Sequence, residues 1–277
     1  MEGEMNLIKI DEKTCNSDGI CAAVCPAALI SIKKGEFPVP IAGAEEICIR
    51  CGHCVSSCPT ASLSHLFVPV EKCQAIRDDL KISFEQCGQF LKSRRSIRTY
   101  RDKTVPREDI QRLIDLAAYA PSGHNTRLNK WLVIDSRDEL KRLSGIVIDW
   151  MRFMLEGMRE FAVSMHMDRA VERWEAGKDV ILRKAPAVVV AYDDVKNPMA
   201  ASSCTIALTY LELAAHGMGL GACWAGYFNS AAVIFPPMKE ALGLPESHQC
   251  FGSMMIGYPK FDYYRLPVRN QPDISWR

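Results

Sequence analysis

Apolar and polar positions alternate over residues 5–10, MNLIKI, and predict a short strand. The apolar run AALISI at 27–32 predicts a segment packed over the centre of a small unit, and KGEFPVPIAGA at 34–44, broken by Gly and Pro, reads as a connection. Leu63–Val70 closes this first part. From Glu71 the period changes. Ile82, Phe84, Cys87, Phe90 and Leu91 recur mostly at three- and four-residue steps, which predicts a linker helix over 71–92 with one face on a second domain. Pro106 opens a further helical pattern, Arg107–Tyr119, followed by a strand at Trp131–Ile134. Residues 145–180 crowd Trp150, Met151, Phe153, Met154, Met158, Phe161, Met165, Met167 and Trp174 without strand signals. Ala185–Asp193 reads as a buried strand, and Cys204, Ala207, Leu208, Leu211, Ala215 and Met218 mark one face of a long helix. A last strand is expected at Cys250–Ile256.

The chain has 277 residues, enough for two small domains or one large one. A hydrophobic share of 48% with 24% charged residues is ordinary for a soluble globular protein, and a net charge of +1 gives no global attraction to nucleic acid or an acidic membrane. The N-terminal MEGEMNLIKIDEKT lacks a signal-peptide core, and no uninterrupted apolar run is long enough to span a bilayer. The expectation is a cytoplasmic protein with neither nucleic acid nor membrane as partner.

The twelve cysteines change the picture. In Cys48–Pro59, CIRCGHCVSSCP, four cysteines stand at spacings of two, two and three intervening residues, with Pro after the last. Thiolates so spaced can wrap an iron–sulfur cube. The competing reading is a zinc knuckle, which usually shows two separated Cys-x-x-Cys pairs. The stretch Cys15–Pro26, CNSDGICAAVCP, superimposes on it after a shift of 33 residues, except that Asp18 stands where Cys51 does. Clustered spacing of this kind argues for a reducing compartment rather than a disulfide framework. Cys73, Cys87, Cys204, Cys223 and Cys250 have no place in these motifs and are expected as packed thiols.

The doubled motif resembles a bacterial two-cluster ferredoxin. That resemblance implies one cluster on Cys15, Cys21 and Cys58 with Asp18 as candidate fourth ligand, of 4Fe-4S or 3Fe-4S type. It implies a second, 4Fe-4S cluster on Cys48, Cys51, Cys54 and Cys25. With about 65 residues, the small domain needs its clusters for much of its folding energy.

Beyond it, Ser93–Tyr100, SRRSIRTY, is a basic run able to fork around a phosphate. Pro121-Ser-Gly-His-Asn125 follows, then Gly219-Leu-Gly-Ala-Cys-Trp-Ala-Gly226, then Gly257-Tyr-Pro259 with Arg265-Leu-Pro267. In this order the four segments resemble the FMN-dependent nitroreductase superfamily over 84–277. The whole is similar to nitroreductases with a ferredoxin module fused ahead. The resemblance implies an α+β chain: a ferredoxin-like domain over 1–70, the linker helix, and a three-layer α/β/α FMN-binding domain over 84–277. It implies that Arg94, Arg95, Ser96, Arg98 and Arg265 bind the FMN phosphate and ribityl chain, with Arg269 as runner-up to Arg265. Pro121, Ser122, Gly123 and Asn125 would approach the flavin of the other subunit in a homodimer with FMN at its interface. Ala225 and Gly226 would present backbone groups to the ring, where a larger side chain would hold the backbone away. The long helix, with small residues such as Ala207 and Ala215, would be central to the dimer contact, though an ordinary core helix has the same pattern. Arg127 stands where the family often has glutamine, and either alters charge preference or is a surface residue. The Met-rich 145–180 segment is either core or an adaptable cover over the flavin.

Iron–sulfur centres pass single electrons, and a flavin takes them singly or in pairs. The leading function is therefore an FMN-dependent oxidoreductase that reduces a small organic acceptor: a nitro compound, a quinone or an activated alkene. A ferredoxin or NAD(P)H as donor, and the direction of flow, stay open. Two other classes stand beside it, an electron carrier serving a protein partner and an iron–sulfur redox sensor. No catalytic acid is evident; Tyr119, His124 and His216 are candidates by residue type alone.

Overall fold

The computed structural model describes residues 6–277. Met5, the first residue of the expected N-terminal strand, lies outside the described residues. Two compact units are present, one running through Lys81 and including His124–Thr126, the other holding Ile82–Gly123 and Arg127–Arg277.

The first unit contains β1 (Ile8–Ile10), α1 (Ile20–Ala23), β2 (Ile30–Ser31), β3 (Val39–Pro40), α2 (Ala44–Ile47), α3 (His53–Ser56) and β4 (Leu63–His65). β1 pairs with β4 and β2 with β3, both antiparallel, so the strand that opens the first repeat pairs with the strand that closes the second. The segment expected as a plain connection thus supplies β3, whose Pro40 faces a single partner strand, the setting in which a proline is tolerated. The repeat is written into the backbone. Ser17 and Arg50 both have φ 53°, Gly19 and Gly52 have 76° and 73°, and Ala28 and Ala61 have 51° and 52°. Gly19 and Gly52 sit just before α1 and α3 in the left-handed region, which only glycine enters without cost. The buried core is small: Leu7, Ile8, Leu29, Ile30, Ala44, Val55 and Leu63, with Cys21 buried among them and the ligand-motif thiols half-buried around them.

The linker corrects one expectation. Residues 71–83 form no α-helix, only two 3-10 turns at Val70–Lys72 and Asp78–Leu80; α4 spans Phe84–Ser93. Ser83 stops it: its hydroxyl accepts from the Gln86 N–H, and the Gln86 side chain accepts from the Ser83 N–H. Ile76, Leu80, Ile82 and Phe84 are exposed, so the apolar spacing there never meets a core. Cys73, expected buried, is exposed for the same reason.

In the second unit α5 (Arg107–Ala117), β5 (Lys130–Ile134), α6 (Arg137–Gly157), α7 (Arg159–Ser164), α8 (Met167–Glu175), β6 (Ala187–Asp194), α9 (Ala200–Gly217), β7 (Gly221–Trp224), α10 (Gly226–Ile234), α11 (Pro236–Leu242) and β8 (His248–Gly257) follow α4. The strands form one antiparallel sheet in the order β5-β6-β8-β7. β6 is central and buried on both faces, which is why it reads as an unbroken apolar run. Its period of two divides the core. Val188 and Val190 face α6, α8, α10 and α11 with Leu143, Met151 and Phe228. Ala187, Val189 and Ala191 face α5 and α9 with Leu113, Leu208 and Leu211. Helices on both faces make the three-layer α/β/α arrangement. Burying a side chain such as Phe228 contributes about 2–3 kcal/mol.

Ala215 belongs to this protomer's own core, packed with Ala187, Val189 and Ala191 of β6, whereas Ala207 is buried outside that cluster. The Met-rich segment divides: Trp150, Met151, Met154 and Met167 are buried, whereas Phe153, Met158, Phe161 and Met165 are exposed. Among the described residues no helix is long and apolar enough to cross a membrane.

Candidate functional site

The first unit holds two cavities, and their linings are related by the repeat. One is lined by Cys15, Asp18, Gly19, Cys21, Cys58, Ser62 and Leu63, among others. The other is lined by Cys48, Cys51, Gly52, Cys54, Cys25, Leu29 and Ile30, among others. Each residue in the first series has its counterpart 33 positions away in the second, forward for the first four and backward for the last three. The exchange of Cys25 and Cys58 follows from the strand pairing, which folds the end of each repeat against the start of the other.

Among the described residues no three His, Cys, Asp or Glu side chains converge as a single metal ion requires. The thiols instead line two small cavities, a donor set that fits a polynuclear iron–sulfur core. Burial pushes the Cys54 thiol up to about 11, with Cys51 and Cys25 adding to the cost of a thiolate there. Burial also raises Cys21, and Asp18, Cys15 and Cys58 act in the same direction. Several thiolates in so small a space need a cationic core to offset them. At Cys58 burial is outweighed by the Ser62 and Thr60 hydroxyls and the Leu63 and Ser62 N–H groups, which hold the thiol at about 7. The Leu29 N–H donates to Cys25 Sγ at 3.3 Å and the Arg50 N–H to Cys48 Sγ at 3.4 Å. Asp18 is exposed and lines the first cavity; its Oδ1 accepts from the Ile20 N–H at 3.0 Å, leaving one oxygen for a ligand.

In the second unit three of the four sequence segments converge. Ser96 bridges Ala222 in parallel, and the Ile97 N–H donates to Ala222 O at 2.9 Å. Tyr100 bridges Pro259, the Arg101 N–H donates to Tyr258 O at 2.8 Å, and the Lys260 N–H to Thr99 O at 3.1 Å. The basic run is thereby stitched to the Gly219–Gly226 segment on one side and to the Gly-Tyr-Pro turn on the other. Beside it lies a cavity of about 260 Å³ lined by Arg94, Arg95, Glu212, His216, Ala222, Asp262 and Tyr263, among others.

Within this convergence the arginines differ. Arg94 Nη1 donates to Glu212 Oε1 at 2.7 Å, so its charge is already committed. Burial lifts the Glu212 carboxyl above the usual carboxylate range, with the Arg94 guanidinium pulling the other way. Arg95 lies over the Tyr263 ring at 5.9 Å. Arg98 is exposed, and neither it nor Arg95 makes an ion pair among the described residues. Burial raises the Cys223 thiol, opposed by the positive charges of Arg98 and Arg183. Cys204 and Cys250 are packed and pushed up to about 12 by burial.

Ala225 has both backbone groups engaged: its N–H donates to Ser253 O at 2.9 Å and its carbonyl accepts from the Asn229 N–H at 2.8 Å. At Gly226 the space a Cβ would fill is open. Pro121, Ser122 and Gly123 do not line the cavity. The Ser122 hydroxyl accepts from the Arg127 N–H at 3.0 Å, and a Cβ at Gly123 would meet Met199 at 2.7 Å. Within the first unit, the Asn125 side-chain amide donates to the carbonyls of Ile49 and Arg50 at 3.0 Å each. Arg265 and Arg269 lie in the exposed tail after β8. Tyr119 is exposed, and His216 is hydrogen-bonded to the Ser93 hydroxyl at 3.0 Å with its ring tilted against Phe90.

Two participants were missed in the sequence. Glu212 is the only acid in α9, a visible signal; Arg183, with φ 56°, belongs to no motif and gave none.

Comparison with known proteins points the same way. Residues 91–258 match the model of the nitroreductase family, and residues 14–63 match a 4Fe-4S dicluster domain. A protein of Archaeoglobus fulgidus, described provisionally as an NADH dehydrogenase/NAD(P)H nitroreductase, is 29% identical over 68% of this chain and 95% of its own length. A protein of the same description from Methanothermobacter thermautotrophicus is 26% identical over 65% of this chain and 81% of its own. Among solved structures, a nitroreductase with bound FMN from Bacteroides fragilis superimposes with a TM-score of 0.57 over 68% of this chain and 96% of that one, at 22% identity.

Proposed function

The chain belongs to the nitroreductase family, with a 4Fe-4S dicluster domain ahead of the matched region. On that premise we propose that it is an FMN-dependent oxidoreductase passing electrons between two iron–sulfur clusters and FMN to reduce a small organic acceptor, such as a nitro compound, a quinone or an activated alkene. The observation that carries the reading is the pair of repeat-related thiol cavities, present on one chain with a basic run stitched to the Gly219–Gly226 and Gly-Tyr-Pro segments. Bound FMN would supply electron uptake singly or in pairs, and the clusters single-electron transfer.

The residues divide the work by what their partners leave free. Cys48, Cys51, Cys54 and Cys25 hold one cluster; Cys15, Cys21, Cys58 and the free oxygen of Asp18 hold the other. Arg95 and Arg98, which make no ion pair among the described residues, would fork around the FMN phosphate with Arg265. Arg94 fixes the run to α9 through Glu212, and Gly226 leaves room for the ring. The protein works as a homodimer with FMN at the interface, and Pro121, Ser122, Gly123 and Asn125 serve the partner's flavin. The names given to the archaeal relatives make NADH and NADPH the first donors to test, with reduced ferredoxin beside them.

The test is anaerobic purification, flavin and metal analysis, then reduction with each donor and steady-state turnover of a panel of acceptors. Tight FMN and about seven to eight iron atoms per chain are expected, with turnover of at least one acceptor class. Iron near zero with stoichiometric zinc overturns the cluster assignment. Electron exchange with protein partners but no turnover of any small acceptor overturns the enzymatic one.

A further inference from the structure

His65 ends β4 and is 3% exposed, one of the few buried polar side chains of the first unit. Its two ring nitrogens have different neighbours. Nδ1 accepts from the Phe67 N–H at 3.1 Å. A nitrogen that accepts carries no proton, so the ring proton is on Nε2. Nε2 lies 3.4 Å from Cys48 Sγ, and the imidazole N–H is therefore aimed at a cysteine sulfur that lines the four-cysteine cavity. Arg50, 3.7 Å above the Phe67 ring, helps hold the turn that supplies the Phe67 N–H.

The repeat supplies its own control. Thirty-three positions before His65 stands Ile32, which lines the other cavity as His65 lines this one. The cavity with Asp18 has hydroxyls near Cys58, Ser62 at 3.3 Å and Thr60 at 3.6 Å, but an aliphatic side chain where the imidazole would be. The two sites share a backbone frame and, besides Asp18 standing in place of Cys51, differ in what donates to their sulfurs.

We propose that His65 donates its Nε2–H to the sulfur of Cys48 and thereby raises the reduction potential of the cluster held by Cys25, Cys48, Cys51 and Cys54. The proposal rests on the assignment of that cavity to an iron–sulfur cluster. Reduction places added negative charge on the cluster and its sulfurs, so a donor pointing at one of them stabilises the reduced state more than the oxidised one. Burial keeps water from competing for the same sulfur. His65 thus acts through Cys48 as a positioning residue, and makes this site a better electron acceptor than its thiolates alone would.

The experiment is a redox titration of the full-length, cluster- and flavin-loaded protein, followed by paramagnetic resonance. His65→Ile installs the residue that the twin position already accommodates. The reduction equilibrium of the four-cysteine cluster is expected to fall by up to about tenfold, the weight of one hydrogen bond, which is about 59 mV for a one-electron couple. The other cluster, the flavin and the iron content stay as in the wild type. His65→Gln, which keeps an N–H donor, retains most of the wild-type potential. In the wild type with histidine labelled by 15N, pulsed resonance of the reduced cluster shows a weakly coupled nitrogen, and His53→Ala, which removes the other histidine lining this cavity, leaves that coupling in place. An unmoved potential in His65→Ile, an equal shift of all three centres, or the absence of the nitrogen coupling overturns the proposal. A wild type that binds no iron overturns the cluster assignment itself, so the two failures are distinct.

Discussion

Gly221→Ala is the substitution for which the structure gives the sharpest expectation. An added Cβ at this position would lie 2.5 Å from Ile97 Cγ1, 2.6 Å from Ile97 Cβ and 2.8 Å from Ile97 Cγ2. The Ile97 Cβ is fixed to the backbone, so no rotamer change relieves the overlap. Favourable carbon contacts begin near 3.5 Å, and β7 must part from the basic run by about 1 Å. That opening breaks the Ile97 N–H to Ala222 O hydrogen bond and the Ser96 bridge, the stitching that aims the arginines. Overpacking of this kind costs about 1–3 kcal/mol, and at about 2–4 °C per kcal/mol for a unit of this size the melting temperature falls by roughly 2–12 °C. Flavin retention after gel filtration should fall with it. Gly226→Ala is the contrast, because its Cβ meets nothing within 4 Å. It should melt no lower than the wild type and still lose flavin. Gly221→Ala that melts at the wild-type temperature with full flavin refutes the close-approach argument; Gly226→Ala with undiminished flavin refutes the placement of the ring.

Three further outcomes are expected. Arg94→Met strands the buried Glu212 carboxylate and costs about 3–5 kcal/mol in denaturant unfolding at pH 8. With the folded Glu212 pKa raised, the loss shrinks toward pH 5 as the carboxyl protonates, and an equal loss at both pH values contradicts the pairing. A carboxylate is a harder ligand than a thiolate, so with Asp18 as the proposed fourth ligand controlled oxidation should convert that cluster from four irons to three. Asp18→Cys should abolish that conversion without touching FMN, and a three-iron signal that appears equally in the variant sinks the assignment. Asp135, held below the usual carboxylate range by its hydrogen bond to Arg107, contributes stability above its unfolded pKa that disappears as pH falls through its folded one; the urea midpoint of Asp135→Asn should lie below wild type at pH 7 and meet it in strong acid.

Much of this was legible in the residues. The 33-residue repeat marked the motif positions, the resemblance to a two-cluster ferredoxin implied how their thiols group, and the two cavities are lined by those groups. The buried run of β6 and the periodic face of α9 announced the layered core. What periodicity cannot say is whether an apolar face finds a partner. Ile82 and Phe84 open the apolar spacing read as a helix face, yet both lie exposed at the cap of Ser83. Ala215 suits a close helix contact equally well against a subunit or a sheet, and here the sheet takes it. The commitment of Arg94 to Glu212 and the imidazole at Cys48 were hidden because each joins residues far apart in the chain or turned toward each other by a single tight turn.

The exchange of Cys25 and Cys58 between the two repeats also bears on how the protein is made. Neither cavity can be finished by its own half of the unit. The first waits for Cys58, closing a loop that began at Cys15, and the second, though it starts with Cys25, waits for Cys54. Closing the longer loop costs little more than closing the shorter, since the entropy of closure grows only with the logarithm of length. Timing is the larger effect. As the chain leaves the ribosome, both thiol sets stay incomplete through the first repeat and are completed within four residues of each other. If the two cavities take clusters as proposed, the order of translation therefore gives neither site a head start of more than four residues.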